Sequence, residues 1–270
     1  QAISAYRTVL DLAGDDAEAL RSLDRIYEGQ QMWPDLAEVL LRELGMTTGE
    51  DAGEVIALKF RLAMLQESQL EDLQSAIENY RDILDLESNH EGARAGLEKH
   101  LSNEGFQLEA ARILEPIYQE LNEWHPLINV YEIMLSREAA PANRVDLLLR
   151  IGGLQVDRTG DGEKAFDAYS RCFREEPENE TARQELERLA DIQDSWESLA
   201  GLYEEATSEA LNPALQLELL MSLATILDQR LEQPERAVEF FRRAQEFEPD
   251  NPATLEALEK LYTRGERWAD

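Results

Sequence analysis

Asp157, Arg158, Thr159, Gly160, Asp161 and Gly162 read like the first half of a calcium loop, the clearest metal-binding signature in the chain. Such a loop needs a bidentate glutamate at its twelfth position, and Ala168 stands there. The same Asp and Gly types are what a tight turn between helices uses, so the stretch is expected to be a turn. Three histidines give a metal site little to work with. His90 and His100 are ten residues apart, at opposite ends of one expected helix spanning about 15 Å. His125 stands beside Pro126 at an expected helix start, where a cap or surface role fits. Cys172 is the sole cysteine and cannot form an internal disulfide. Neither a Gly-x-Ser-x-Gly turn, nor a Cys with a plausible His partner, nor a phosphate-cradling glycine loop is present, so no catalytic residue, cofactor or metal is expected.

The charges restrict the partners. Of 270 residues 57 are acidic and 26 basic, a formal net charge of −31, with the acid excess spread along the chain. Phosphate neutralisation needs clustered Lys and Arg, so nucleic acid is excluded as a partner class. An anionic membrane surface would repel the chain, and no apolar run reaches the roughly 18 residues of a membrane span. A solvated, soluble surface is the plain reading of the charge; attraction to a basic partner is the sharper one. Cysteine usage implies no oxidising compartment, and a cytoplasmic setting is the expectation. Gln1 is not an initiator, and the chain is read as a segment of a longer array, which leaves secretion open.

Periodicity governs the elements. Apolar residues recur with helical spacing throughout, giving an expected 15 or so helices and no strand. Ala2, Ala76, Ala165 and Ala237 are each followed four residues later by an aromatic ring: Tyr6, Tyr80, Tyr169 and Phe241. Three of these alanines reach a tryptophan in 31 residues (2 to 33, 165 to 196, 237 to 268), and Trp124, Trp196 and Trp268 are spaced by 72. Self-similarity at a fixed period means stacked units that share a linear core. The tryptophans and the four register aromatics are therefore expected as packing anchors between units. Cys172 falls in the same register as Val9, Ile83 and Ala244, a packing position.

These residues resemble the tetratricopeptide repeat. Ala237, Phe241, Ala244 and Pro249 match its second helix, and Leu220, Leu223, Ala224 and Leu227 its first. Ala165, Tyr169, Cys172 and Pro177, preceded by Ile151 and Gly152, repeat the pattern; Ala76, Tyr80 and Ile83 repeat it more weakly, with Ser88 where the proline belongs. The resemblance implies an all-α solenoid, a superhelix of antiparallel helix pairs, running as one continuous array over 1–270. Its units would be about 1–52, 53–142, 143–213 and 214–270. Between Ala76 and Trp124 the spacing is 48 instead of 31, an excess of 17 read as an extra helix near 102–119 that contains Pro116.

Each period holds a second helix pair that departs from the family pattern. It opens with Leu23-Asp24-Arg25, Leu97-Glu98-Lys99, Leu186-Glu187-Arg188 or Leu258-Glu259-Lys260, an acid standing where the family has a small residue. By the resemblance, first helices line a concave groove, and Arg25, Lys99, Arg188 and Lys260 would point into it, able to grip carboxylates of a peptide. The competing reading has each base paired with an acid of an adjacent repeat. The functional expectation is a non-enzymatic scaffold presenting a groove to a protein or peptide, basic or amphipathic. Alternatives are a building block of a larger assembly through self-association, and a regulatory arm of an enzyme lying outside this segment.

Overall fold

A computed structural model describes residues 1–47 and 51–264. Among these residues there are fifteen α-helices and no strand. They fall into two compact units, Gln1–Arg137 and Glu138–Asp270. The first holds α1 (Ala2–Ala13), α2 (Ala17–Gln30), α3 (Trp33–Met46), α4 (Ala52–Leu65), α5 (Leu73–Leu86), α6 (Glu91–His100), α7 (Gln107–Leu121) and α8 (Trp124–Arg137). The second holds α9 (Pro141–Leu154), α10 (Gly162–Glu175), α11 (Glu180–Gln193), α12 (Trp196–Glu209), α13 (Pro213–Gln229), α14 (Pro234–Phe247) and α15 (Pro252–Arg264). Within each unit, consecutive helices joined by short links pack as antiparallel hairpins, the local build of an α-solenoid. No helix among the described residues is long and apolar enough to cross a membrane.

Local chemistry sets the helix ends. Asp16, Asp72 and Asn179 accept hydrogen bonds from Ala19 N, Ser75 N and Ala182 N at 2.8, 3.2 and 3.0 Å, satisfying amides that the first turn leaves unpaired. Asp161 does the same for Lys164 N at 3.1 Å, so the calcium-like stretch forms the turn into α10. Both long helices preceding a register helix close through a π-helical turn, Gln66–Leu70 after α4 and Gln155–Thr159 after α9. In each, the amide six residues on, Asp72 N or Asp161 N, donates to the Gln66 or Gln155 carbonyl at 2.9 Å.

The register positions form the core. Ala76, Ala165 and Ala237 are fully buried, and Tyr80, Tyr169 and Phe241 are at most 4% exposed. On α1, the first helix described, Ala2 is exposed and Tyr6 half-buried. The two core tyrosines lie flat on glycines: a Cβ at Gly96 would sit 2.5 Å from the Tyr80 ring, and one at Gly152 would sit 2.7 Å from the Tyr169 ring. Replacing Gly152 with valine is therefore expected to cost about 1–3 kcal/mol through overpacking. Gly153, whose Cβ would come no closer than 4.0 Å to the Tyr169 hydroxyl, is the control. Gly153→Ala is expected to be neutral or to stabilise by up to about 1 kcal/mol through helix propensity. Urea midpoints for the two variants check this; similar shifts for both would disprove the close packing.

The irregular spacing has a structural origin. In the regular units one leucine, Leu23 or Leu186, stands both 21 residues after the register alanine and 10 before the tryptophan (21 + 10 = 31). In the unit that contains Ala76 these two roles are divided. Leu97 of α6 is 21 residues after Ala76, and Leu114 of α7 is 10 before Trp124. Ala93 and Ala110, and Glu98 and Glu115, repeat the same offset of 17. The backbone agrees: Gln31, Asn122 and Asp194, each two residues before a tryptophan, adopt left-handed φ of 57°, 58° and 53°. So α7 joins its tryptophan helix as α2 and α11 join theirs, while α6 follows its register helix as they follow theirs. The helix is present twice, and Pro116 stands in the second copy where Arg25 and Arg188 stand in the others.

Candidate interaction surface

The acid-base doublets lie on α2, α6, α11 and α15. All four bases are exposed. Lys99 Nζ is 3.6 Å from Glu67 Oε1 of the π-helical turn before α5. Arg188 pairs with Glu185 at 2.7 Å and Lys260 with Glu256 at 2.6 Å, each on its own helix. Exposed pairs of this kind contribute roughly 0.2–1 kcal/mol. The acids form the longer links. Asp24 of α2 accepts two bonds from the Arg61 guanidinium of α4, both at 2.9 Å, and Arg61 is held further above its ordinary range by that bond. Glu98 of α6 accepts from the Tyr118 hydroxyl of α7 at 2.9 Å. Spacing alone gave no signal for these partners, because Arg61 and Tyr118 recur at no equivalent position in the other units.

Around Asp24 the helices α2, α3 and α4 leave a cleft of about 390 Å³. Glu43, Glu54 and Arg21 share its lining with Met46 and Leu58. Burial, then the nearby Asp24 charge, pushes Glu43 above the usual carboxylate range. A cation entering this cleft would relieve both. In the second unit, α11, α12 and α13 leave a cleft of about 340 Å³ at the equivalent place, lined by Glu187, Trp196, Met221 and Arg230. Asp24 and Glu187 each stand 22 residues after their register alanine, and Leu58 and Met221 each stand 56 after it. The two units thus carry the same feature: an acid of the doublet facing an apolar residue of the next first helix.

Each described tryptophan opens a helix. Trp33 is half-buried against the core that contains Leu36 and Leu40. Trp124 is half-buried at the start of α8. Trp196 is 8% exposed, with the Arg230 guanidinium 4.5 Å above its ring and paired to Asp191 at 3.1 Å. Trp268 lies outside the described residues.

The remaining candidate groups are engaged in structure. Cys172 is fully buried on α10, and burial, with smaller contributions from Glu176 and Glu175, pushes its thiol up to about 12. His90 Nδ1 caps α6 by accepting from Ala93 N at 3.0 Å. His100 is buried at the end of α6, Nε2 3.7 Å from Glu67 Oε1, while Glu67 Oε2 takes the Tyr80 hydroxyl at 2.7 Å. No group of three or more His, Cys, Asp or Glu side chains able to hold a metal ion occurs among the described residues.

Comparison with known proteins places residues 217–251, the α13–α14 pair, under the family model described as tetratricopeptide repeat. Comparison with curated proteins gives no match. Among solved structures the chain is similar to YrrB, described as a TPR protein with an unusual peptide-binding site, at 17% identity over 83% of this chain and 99% of that one, TM-score 0.31. It is similar to yeast Tom70 at 12% identity over 88% and 52%, TM-score 0.34. It is also similar to Pseudomonas aeruginosa pilF at 14% identity over 96% and 100%, TM-score 0.29.

Proposed function

We propose that this tetratricopeptide-like repeat protein is a non-enzymatic interaction scaffold whose first-helix face holds an extended or helical segment of a partner protein. The observation that carries the reading is the recurrence of one cleft in both units, at Asp24 with Leu58 and at Glu187 with Met221. Such a cleft fits an amphipathic partner: a lysine or arginine head against the carboxylates, its methylene stem along the apolar wall. The net charge of −31 adds long-range attraction for that partner and speeds encounter. Of the doublet bases, Arg25 and Lys99 are the better secondary contacts for partner carboxylates, since Arg188 and Lys260 already hold acids on their own helices.

Fluorescence anisotropy with a labelled peptide of alternating Lys-Lys-Leu triplets, at about 150 mM salt, tests the proposal. Glu43→Gln combined with Glu54→Gln changes the net charge by only two but removes two cleft carboxylates. Binding is expected to weaken about fivefold or more, roughly 1 kcal/mol. Equal affinity for wild type and variant would mean that the clefts do not anchor the partner. No binding by the wild type, together with concentration-dependent sedimentation, would favour the building-block reading instead.

A further inference from the structure

The doubled helix creates a second surface, independent of the clefts just described. α7 lies against α5, and between them opens a cleft of about 670 Å³. Leu84 and Ile117, 2% and 8% exposed, form its floor; Ile113 and the exposed Pro116 form a wall. Arg81 and Arg112 stand at its rim.

Both guanidiniums are poorly neutralised for a chain this acidic. The acid nearest Arg81 is Asp82, whose Oδ1 is 3.9 Å away and whose Oδ2 is held by Lys59 at 2.7 Å. Arg112 makes no ion pair among the described residues. By contrast Arg61, Arg94 and Arg183 each reach an acid on another element, at 2.9, 2.7 and 2.5 Å. Of the acids lining the cleft, Glu109 already accepts from Gln74 at 3.2 Å, and Asp85 is exposed on the outer edge of α5. Pro116 has no N–H to donate to the Arg112 carbonyl four residues earlier, which leaves an acceptor on α7 beside the arginines. An apolar floor, two cations with spare donors and one spare acceptor converge here.

We propose that the α5/α7 cleft docks a short acidic-apolar segment of a partner protein. A leucine- or phenylalanine-sized side chain sits on Leu84, Ile113 and Ile117, and flanking carboxylates sit on Arg81 and Arg112. Arginine is suited to this because its planar fork binds a carboxylate through two parallel hydrogen bonds. The segment is thus opposite in charge to the one taken by the first-helix clefts, and a single scaffold can hold both at once.

The test uses a fluorescein-labelled nonapeptide with two glutamates flanking two leucines on a Ser/Gly background, and its counterpart with lysines for glutamates, both at about 150 mM salt. The wild type is expected to bind the glutamate peptide, and Arg81→Ser with Arg112→Ser to weaken it tenfold or more. Both arginines are exposed, so the variant should melt with the wild type by circular dichroism; Ile113→Ala is a second route to the same loss. Glu43→Gln with Glu54→Gln should leave glutamate-peptide binding unchanged. The proposal fails if the wild type does not bind the glutamate peptide, if the arginine variant binds it equally, or if the Glu43 and Glu54 changes abolish binding. Failure here leaves the lysine-peptide result standing, so the two readings are separately decided.

Discussion

Replacing Phe173 with alanine is expected to destabilise the second unit by about 3–5 kcal/mol. Phe173 of α10 is fully buried, and its ring centroid lies 4.9 Å from that of Tyr203 on α12, itself 1% exposed. The substitution removes a whole ring from a packed site and also deletes an aromatic pair worth about 0.5–1.5 kcal/mol beyond its area. Neighbouring side chains have little room to collapse, because Leu199, Ala168 and Leu186 are already at 0–1% exposure. A repeat protein adds a consequence: stability is a sum over units and their neighbours, so the loss should be local. Hydrogen exchange should quicken in α10–α13 while amides of α2–α5 keep their protection. A loss under about 1 kcal/mol in urea unfolding, or an equal loss of protection in both units, would refute this account.

Much of this packing was legible in the sequence and some was not, for physical reasons. The register alanine and the aromatic four residues on were legible because close helix approach admits only small side chains at one place and needs a large ring at the next; Ala165 and Tyr169 meet that demand against Gly152. The tryptophans were legible as helix-opening anchors, but the left-handed residues Gln31, Asn122 and Asp194 that set them up were not, since glycine is the usual signal there and none is used. Phe173 was invisible: the equivalent residues are Leu10, Leu84 and Gln245, and a position that changes type in every copy carries no pattern. The cross-helix partners of Asp24 and Glu98 were hidden likewise, because a surface-edge acid can be satisfied by any donor that geometry brings near. The 17-residue excess was legible as one helix too many. Which helix is the added one has two answers, because α6 and α7 each keep half of the ancestral spacing, Leu97 to its alanine and Leu114 to its tryptophan.

Alkaline pH is expected to unfold the chain cooperatively before pH 12. In the folded protein the Cys172 thiol is pushed up to about 12 from an ordinary 9, mainly by burial, and the Tyr169 hydroxyl up to about 12 from 10 by the same cause. Burial likewise raises Tyr80, Tyr118 and Tyr203, and at Tyr80 and Tyr118 the bonds to Glu67 and Glu98 add to it. All five groups favour the neutral form in the fold, so their stabilisation is complete below about pH 9. Above it, the unfolded chain releases these protons while the folded chain keeps them, and stability falls as pH rises. At about 1.4 kcal/mol per pH unit for each group past its unfolded value, Cys172 and Tyr169 alone remove roughly 4 kcal/mol by pH 11. Mutual repulsion between these two makes the sum approximate, yet it already approaches the 5–15 kcal/mol that holds a typical domain. Circular dichroism and tyrosinate absorbance followed together from pH 7 to 12 should change in one joint transition. Cys172→Ala, a tolerated size because Ala244 fills the same register position fully buried, should move that transition to higher pH. Tyrosinate absorbance that rises smoothly at ordinary pH while helicity is unchanged would show that these rings titrate in the folded state, and that the packing at Gly96 and Gly152 is open to water.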